Sequence, residues 1–310
     1  MLWKKLGCVF NVTGSNRLKL SHAQLPVVLP LSDDTIRVYF ASRDENNVSR
    51  PFFFEATIIN DEFKVTYEND EPLLEIGRKG QFDDSGVMFS SWLKDEDKLL
   101  MYYIGWTRKV SVPYQLAIGL AVSEDGGMSW KRYSEGPILN ANHVDTFCVS
   151  RPVVHQTDQF VMLYLSSEGW VQKDQEYEIS YTVGLTKSDN PFFWGGEKKR
   201  LEFFPDEYAC SPSSILPLGD EYYVFISGRK VFAFRDETDN AYRIYCTKTR
   251  DFKTWSQPWV VKGLEPEGSG FDSKMSEYPW CFKLKDNIYC VYNGDGFGKT
   301  GIGLAKLVKL

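Results

Sequence analysis

The chain has three histidines, no Cys-x-x-Cys pair among its six cysteines, and no apolar run long enough for a secretory core or a membrane span. Each shortage removes a class of function. His22, His143 and His155 lie in separate contexts without ligand spacing, which excludes a histidine-built metal site, and no cofactor is expected. Cys8, Cys148, Cys210, Cys246, Cys281 and Cys290 are scattered in or beside apolar stretches, so they read as buried free thiols and not as a disulfide framework. With a net charge of −6 there is no basic footprint for nucleic acid or an anionic membrane surface. No nucleophile-elbow glycine pattern is present, which removes a Ser-His-Asp hydrolase. The missing leader and span make a cytoplasmic protein the expectation. No Pro/Ser/Gly-rich linker or charge run interrupts the chain, so residues 1–310 are expected to form one domain.

Repetition fills the space left by these absences. A run of apolar and aromatic residues ending on a small or amide residue occurs five times: IRVYFAS to Ser42, LLMYYIG to Gly105, FVMLYLS to Ser166, EYYVFIS to Ser227 and NIYCVYN to Asn293. The intervals are 63, 61, 61 and 66 residues, and five such units account for nearly the whole chain. A period of this size built from short strands points to an all-β, five-bladed propeller. A propeller of the WD type is excluded because its period is shorter and no Gly-His/Trp-Asp pairs recur.

Each unit reads as four antiparallel strands. First strands are expected at or near a proline, over residues 24–31, 88–93, 152–156, 212–218 and 279–284, and polar turns such as Ser32-Asp33-Asp34 then lead into the quoted runs. Third strands follow at FFFEATI, LAIGLAV, YTVGLTK, YRIYCTK and GIGLAKL, whose central small residues are expected to let neighbouring sheets pack closely. SEDGGMSW at residues 123–130 fits an Asp box, with weaker relatives KSDNPFFW and TRDFKTW. Its aspartate closes a turn and its tryptophan covers the hairpin, so it marks blades and not chemistry. The last unit lacks a fourth strand, and the spare run Leu2–Phe10 is expected to supply it and close the ring.

In such a blade the entry to the first strand and the turn after the second lie at one end, where loops converge on a central funnel. Entry positions carry His22, Asp83 and Asp84, Ser150 and Arg151, Glu207, and Glu277. Asp84 and Glu207 fall at equivalent places in blades two and four. Side chains reaching toward the axis from there would stand about 7 to 9 Å apart, which leaves room for a water between two carboxylates. After the second strands come Arg43, Trp106, Arg229 and Asp295. Aromatic faces stack on sugar rings, and carboxylates and guanidinium forks bind hydroxyls. Arg43, Arg108, Arg151 and Arg229 either hold an anionic sugar or phosphate or pair with nearby carboxylates to fasten blades together.

The five-unit period, the entry carboxylates, Ser150-Arg151-Pro152 and Glu207-Tyr-Ala-Cys210-Ser-Pro together resemble the five-bladed propeller glycosidases, the clan that includes glycoside hydrolase families 32 and 43. The resemblance covers essentially the whole chain. It implies a glycosidase or transglycosidase in which Glu207 is the general acid, Asp84 the base, and Asp83 or Glu277 orients the sugar. Two departures stand out: His22 and Gln24 occupy the blade-one entry where the family places an aspartate, and blade three lacks the acid of an Arg-Asp-Pro motif. GQFDDSGV (residues 80–87) and YNGDGFGKTGIGLA (residues 292–305) are also similar to propeller proteins associated with bacterial surface-polysaccharide pathways, which implies a sugar or oligosaccharide partner. A non-catalytic glycan-binding propeller, and an enzyme of glycosyl transfer or phosphorolysis, remain the alternatives. The glycines after Asn293 lack the helix of a nucleotide loop and read as a tight turn.

Overall fold

A computed structural model describes residues 1–310, the side chain of Glu176 set aside. The fold is all-β, with twenty strands and three helical turns of three or four residues. Among the described residues no helix is long and apolar enough to cross a membrane. Two compact units divide the chain: Met1–Pro72, Ser213–Gly228 and Phe234–Leu310 form the first, Leu73–Pro212 and Arg229–Ala233 the second.

In the first unit, Ser21–Pro30, Thr35–Arg43, Ser49–Ile59 and Glu62–Glu68 pair antiparallel in chain order. Glu277–Leu284, Asn287–Asn293 and Ile302–Lys309 do the same, and their fourth partner is Leu2–Phe10, which runs antiparallel to Ile302–Lys309. The sheet Tyr208–Leu218, Glu221–Lys230, Arg243–Thr249 and Trp259–Val260 belongs mostly to this unit. Phe10 lies 4.2 Å from Phe54 and 5.0 Å from Phe40 between ring centroids. Each such buried ring stabilises the fold by roughly 1.5–3 kcal/mol.

The second unit contains two sheets of the same design. One is Gly86–Asp95, Lys98–Arg108, Tyr114–Ser123 and the short Lys131–Arg132. The other is Cys148–Gln156, Phe160–Lys173, Glu176–Ser188 and Lys198–Leu201. Leu100, Tyr102, Val149, Met162, Tyr164 and Trp194 share their core.

First strands begin two to four residues earlier than the sequence leads one to expect, at Ser21, Gly86, Cys148, Tyr208 and Glu277. The physical reason is a bulge. Leu25, Arg151 and Tyr278, each followed by proline, hold φ of 58°, 49° and 54°, and the register shifts at all three places. A bulge absorbs the missing N–H donor, so pairing continues upstream of the proline. A left-handed bulky residue costs about 1–3 kcal/mol and persists only where its surroundings hold it. His22, Arg151 and Glu277 therefore sit inside strands, and not in loops before them.

Small residues in the third strands also serve a purpose other than the expected one. Gly119, Gly184 and Gly303 stand directly opposite Tyr103, Tyr164 and Tyr292. A Cβ at Gly119 or Gly184 would come within 2.2 or 2.4 Å of the tyrosine ring. The missing side chain lets the ring lie across the sheet, where its hydroxyl reaches an aspartate: Asp83, Asp145 and Asp272, each at 3.0 Å. A cation from the fourth strand completes the arrangement. Arg132 donates to Asp83, Lys5 donates to Asp272, and Arg200 donates to Ser166, whose hydroxyl donates to Asp145. In three of the sheets the glycine thus accommodates a latch between strands of its own sheet.

Candidate active site

In the second unit, Asp84 follows the latch residue Asp83 and behaves differently. Asp83 is fully buried, with Tyr103 and Arg132 on its Oδ2. Asp84 is only half-buried, and its carboxylate is oriented by the Gly80 N–H at 2.8 Å and the Ser85 hydroxyl at 2.7 Å. The Ser85 N–H in turn donates to the Trp106 carbonyl at 2.9 Å. Adjacent carboxylates on one strand entry thus divide into one that latches and one that faces out.

Aromatic rings continue from Trp106. Its centroid is 4.7 Å from that of Tyr114, Tyr114 is 5.0 Å from Trp170, and Trp170 is 6.3 Å from Phe147. The buried Trp170 Nε1–H meets no protein acceptor among the described residues. Burial pushes the Tyr114 phenol up, as does the phenol of Tyr181, while Arg229 works the other way. Arg229 is itself buried: its guanidinium donates to the carbonyls of Lys230 and Val231 at 2.8 Å, lies 3.8 Å from Glu178, and covers the Tyr181 ring at 5.3 Å. Next in sequence, Lys230 pairs with Glu207 and sits 4.1 Å over the Tyr208 ring. Glu207 is 65% exposed. Its backbone carbonyl accepts from Val231 N–H at 2.9 Å.

Contacts thus join Asp84 through Ser85 to Trp106, Tyr114 and Trp170, a second group joins Arg229 to Glu178 and Tyr181 and Lys230 to Glu207, and Tyr114 feels Arg229 through space. No hydrogen bond or ion pair joins the two carboxylates directly among the described residues. Arg151 stands apart from these groups, because its buried guanidinium donates to the Pro212 carbonyl at 3.2 and 3.3 Å and acts as a brace.

In the first unit, His22, Arg43 and Glu277 come together. Arg43 stands opposite Ser21 in the sheet, and it donates to Gln24 Oε1 at 2.8 Å and Asn47 Oδ1 at 3.1 Å. Burial lowers its affinity for its proton, against the pull of Tyr278 and the buried Glu277. His22 holds φ of 67°, with Nδ1 2.9 Å from the Ser21 hydroxyl. Burial first, then the charges of Arg43 and Lys299, push the imidazole down to about 4. Asp295 is a cap: it accepts from the Ser273 hydroxyl at 2.6 Å and from the N–H groups of Lys274 and Met275 at 2.8 and 2.9 Å.

Glu178, Tyr181 and Tyr114 were not legible as site residues, because they open third strands, away from the positions where the repeat directs attention. One signal was present. Phe160–Lys173 and Glu176–Ser188 are the two longest strands, at 14 and 13 residues, and the hairpin they form overshoots its sheet. The Asp box does what its sequence implies. Asp125 accepts from the Ser123 and Ser129 hydroxyls and the N–H groups of Met128 and Ser129, while Trp130 is buried against Phe89.

No family model matches the chain. It is 32% identical over 313 aligned positions to the uncharacterized protein Rv1502 of Mycobacterium tuberculosis, covering 99% of each. Among solved structures, a glycoside hydrolase superposes with a TM-score of 0.68 at 15% identity, covering 99% of this protein and 93% of that one. An endo-arabinase from Bacteroides thetaiotaomicron gives 0.61 at 12% identity, covering 98% of each. The fold is thus the propeller fold of glycoside hydrolases, as the resemblance of the repeat units implies.

Proposed function

Since the chain belongs to the family of the mycobacterial protein Rv1502, we propose that it is a carbohydrate-active enzyme of the glycoside hydrolase type, a glycosidase or transglycosidase, built on five four-stranded blades. The N-terminal strand pairing with Ile302–Lys309 supports closure of the last blade, and we take residues 1–310 as one cytoplasmic domain. The observation that carries the reading is the composition of the second unit's group: an oriented, half-buried carboxylate at Asp84, a second, exposed carboxylate at Glu207, and the stacked rings of Trp106, Tyr114 and Trp170 with an unmatched indole donor. Two carboxylates and aromatic faces for the sugar ring are the groups that glycosidic bond cleavage requires.

In this reading Asp84, held by Gly80 and Ser85, takes a proton from the attacking water or acceptor hydroxyl. Glu207, in its protonated form, gives its proton to the leaving oxygen, and exchange with solvent afterwards removes the proton gained by Asp84 and restores the one lost by Glu207. Trp106 and Trp170 stack the sugar, and the buried Arg229 acts on binding indirectly by holding Glu178 and Tyr181 in place. Asp83 supports Asp84 through the latch. Arg151 serves the second unit as a brace on Pro212, while Arg43, Glu277, Asp295 and His22 are assigned to a binding group of the first unit by itself, where Arg43 favours an anionic sugar.

The test is a screen of aryl glycosides, nucleotide-activated sugars and sugar phosphates with the wild-type chain. Asp84→Asn and Glu207→Gln should each lower turnover by about 100-fold or more while melting unchanged. Wild-type turnover in both variants refutes the assignment. One observation favours a second reading, glycan binding without catalysis: Glu207 is exposed and already ion-paired with Lys230. A protein that binds oligosaccharide, processes none of the screen, and keeps its affinity in the doubly substituted form establishes that reading instead.

A further inference from the structure

Of the arginines that the repeat places at strand ends, Arg151 is committed to the Pro212 carbonyl, and Arg229 to two carbonyls and Glu178. Arg43 differs from both. It is half-buried, and its hydrogen bonds go to two neutral amide oxygens, on Gln24 and Asn47. Its remaining guanidinium N–H groups meet no other protein acceptor among the described residues. A second cation is brought beside it by the glycine-rich turn at residues 294–301.

That turn is seated tightly on the strand Ser21–Pro30. Asn293 Nδ2 donates to the Ala23 carbonyl at 2.7 Å, and Asn293 Oδ1 accepts from the Leu25 N–H at 2.9 Å. A Cβ on Gly298 would lie 2.9 Å from the Ala23 carbonyl oxygen and 2.6 Å from Asn293 Nδ2, so only glycine permits the contact. Gly296 and Phe297 turn the chain through left-handed conformations, φ 67° and 61°. The result carries the exposed Lys299 to His22, whose ring bonds the Gly296 carbonyl and the Ser21 hydroxyl.

Two cations, Arg43 and Lys299, thus bear on one half-buried imidazole. Glu277, fully buried, acts on Arg43 through space and offsets one of the two charges. Asp295 of the same turn is turned to Ser273, Lys274 and Met275, so the half-buried Arg43, bonded to two neutral amides, and the exposed Lys299 favour an incoming anion. His22, held neutral by burial and by those cations, adds no competing charge and presents a polar ring.

We propose that Arg43, Lys299 and His22 form an oxyanion subsite that takes the carboxylate or phosphate of an acidic sugar. Arg43 offers its free N–H fork to two oxygens, Lys299 closes over the exposed side, and the turn at residues 294–301 sets their spacing. This rests on the carbohydrate reading for the sugar part of the ligand; the oxyanion part rests on Arg43 and Lys299 alone.

Isothermal titration of the full chain with galacturonate, glucose 1-phosphate, inorganic phosphate and neutral galactose tests it. At least one oxyanion probe should bind, with affinity falling about tenfold or more in Arg43→Gln and in Lys299→Gln; the exposed Lys299 site keeps the test valid should Arg43→Gln misfold. Galacturonate alone identifies a carboxylate subsite, and the phosphate probes alone a phosphate subsite. Wild-type affinity in both variants, or no binding by any oxyanion probe, overturns the proposal. Turnover of neutral glycosides without oxyanion binding sinks this inference and leaves the catalytic reading standing. Oxyanion binding that survives a blank activity screen does the reverse.

Discussion

The Tyr292 hydroxyl donates to Asp272 Oδ2 at 3.0 Å, and Lys5 donates to the same oxygen at 2.6 Å. Tyr292 and Asp272 are both buried, so the bond is made in a place where water cannot replace it. Tyr292→Phe removes one donor to a buried carboxylate and should cost about 1.5–3 kcal/mol, the range for hydrogen bonds to charged groups. Denaturant unfolding measures the loss directly. An unchanged midpoint would show that the latch adds nothing beyond packing.

The glycine opposite each latch tyrosine makes a separate prediction. Gly184→Ala places a methyl 2.4 Å from the Tyr164 ring, which must tilt away from Asp145. Overpacking of this kind costs about 1–3 kcal/mol. The substitution paired with Tyr164→Ala should recover part of that cost, whereas additive losses in the double variant would mean that the two residues do not meet.

Legibility in the sequence followed the physics of each feature. The runs ending at Ser42, Gly105, Ser166, Ser227 and Asn293 were readable because strands buried on both faces leave unbroken apolar runs, and all five are second strands. Three of the first-strand starts were not, because a proline ordinarily ends pairing and the left-handed bulges at Leu25, Arg151 and Tyr278 let it continue. Asp83 and Asp84 are indistinguishable as letters. Their difference lies in partners contributed by Tyr103 and Arg132, twenty and forty-nine positions away. Arg43, Arg151 and Arg229 likewise separate only by what they meet, and that is set by packing.

His22 gives a spectroscopic prediction. Facing it are Arg43 on the neighbouring strand and Lys299 and the Gly296 carbonyl on the turn, with Ser21 beside it and Glu277 and Tyr278 acting on Arg43. Burial and the two cations hold the ring near 4, so by NMR its titration should fall well below that of a free histidine. Arg43→Gln removes one repelling charge and should move the midpoint upward. A bound oxyanion should move it the same way, with affinity rising as pH drops toward the midpoint.

Asp125 controls a second pH effect, away from the site. Burial raises its affinity for a proton, but hydrogen bonds from the Ser129 hydroxyl and N–H, the Ser123 hydroxyl and the Met128 N–H outweigh it and hold the carboxyl down to about 2. A folded-state value below the unfolded one stabilises the fold above the unfolded value and is lost as pH falls through the folded one. Asp125 is exposed, so solvent screening keeps the effect small. Between about pH 4 and 2 the wild type should lose more stability than Asp125→Asn, and equal slopes in acid melts would contradict the turn's role.

Deletion of residues 1–10 tests how the last sheet is completed. The segment buries Trp3 to 3% exposure, stacks Phe10 on Phe54, and supplies Lys5 to Asp272. Losing two aromatic side chains from the core costs roughly 3–6 kcal/mol at about 1.5–3 each. Asp272 is then buried without its cation, which adds several kcal/mol. The strand Ile302–Lys309 is also left as an open edge able to pair with another copy. Against a typical stability of about 5–15 kcal/mol these losses remove most of the margin. The truncated protein should therefore melt without a cooperative transition or elute as aggregates, while Lys5→Met, which keeps the strand, should melt cooperatively at a lower temperature. A truncated protein that melts like the full one would show that Leu2–Phe10 is an appendage and that the last sheet is stable with three strands.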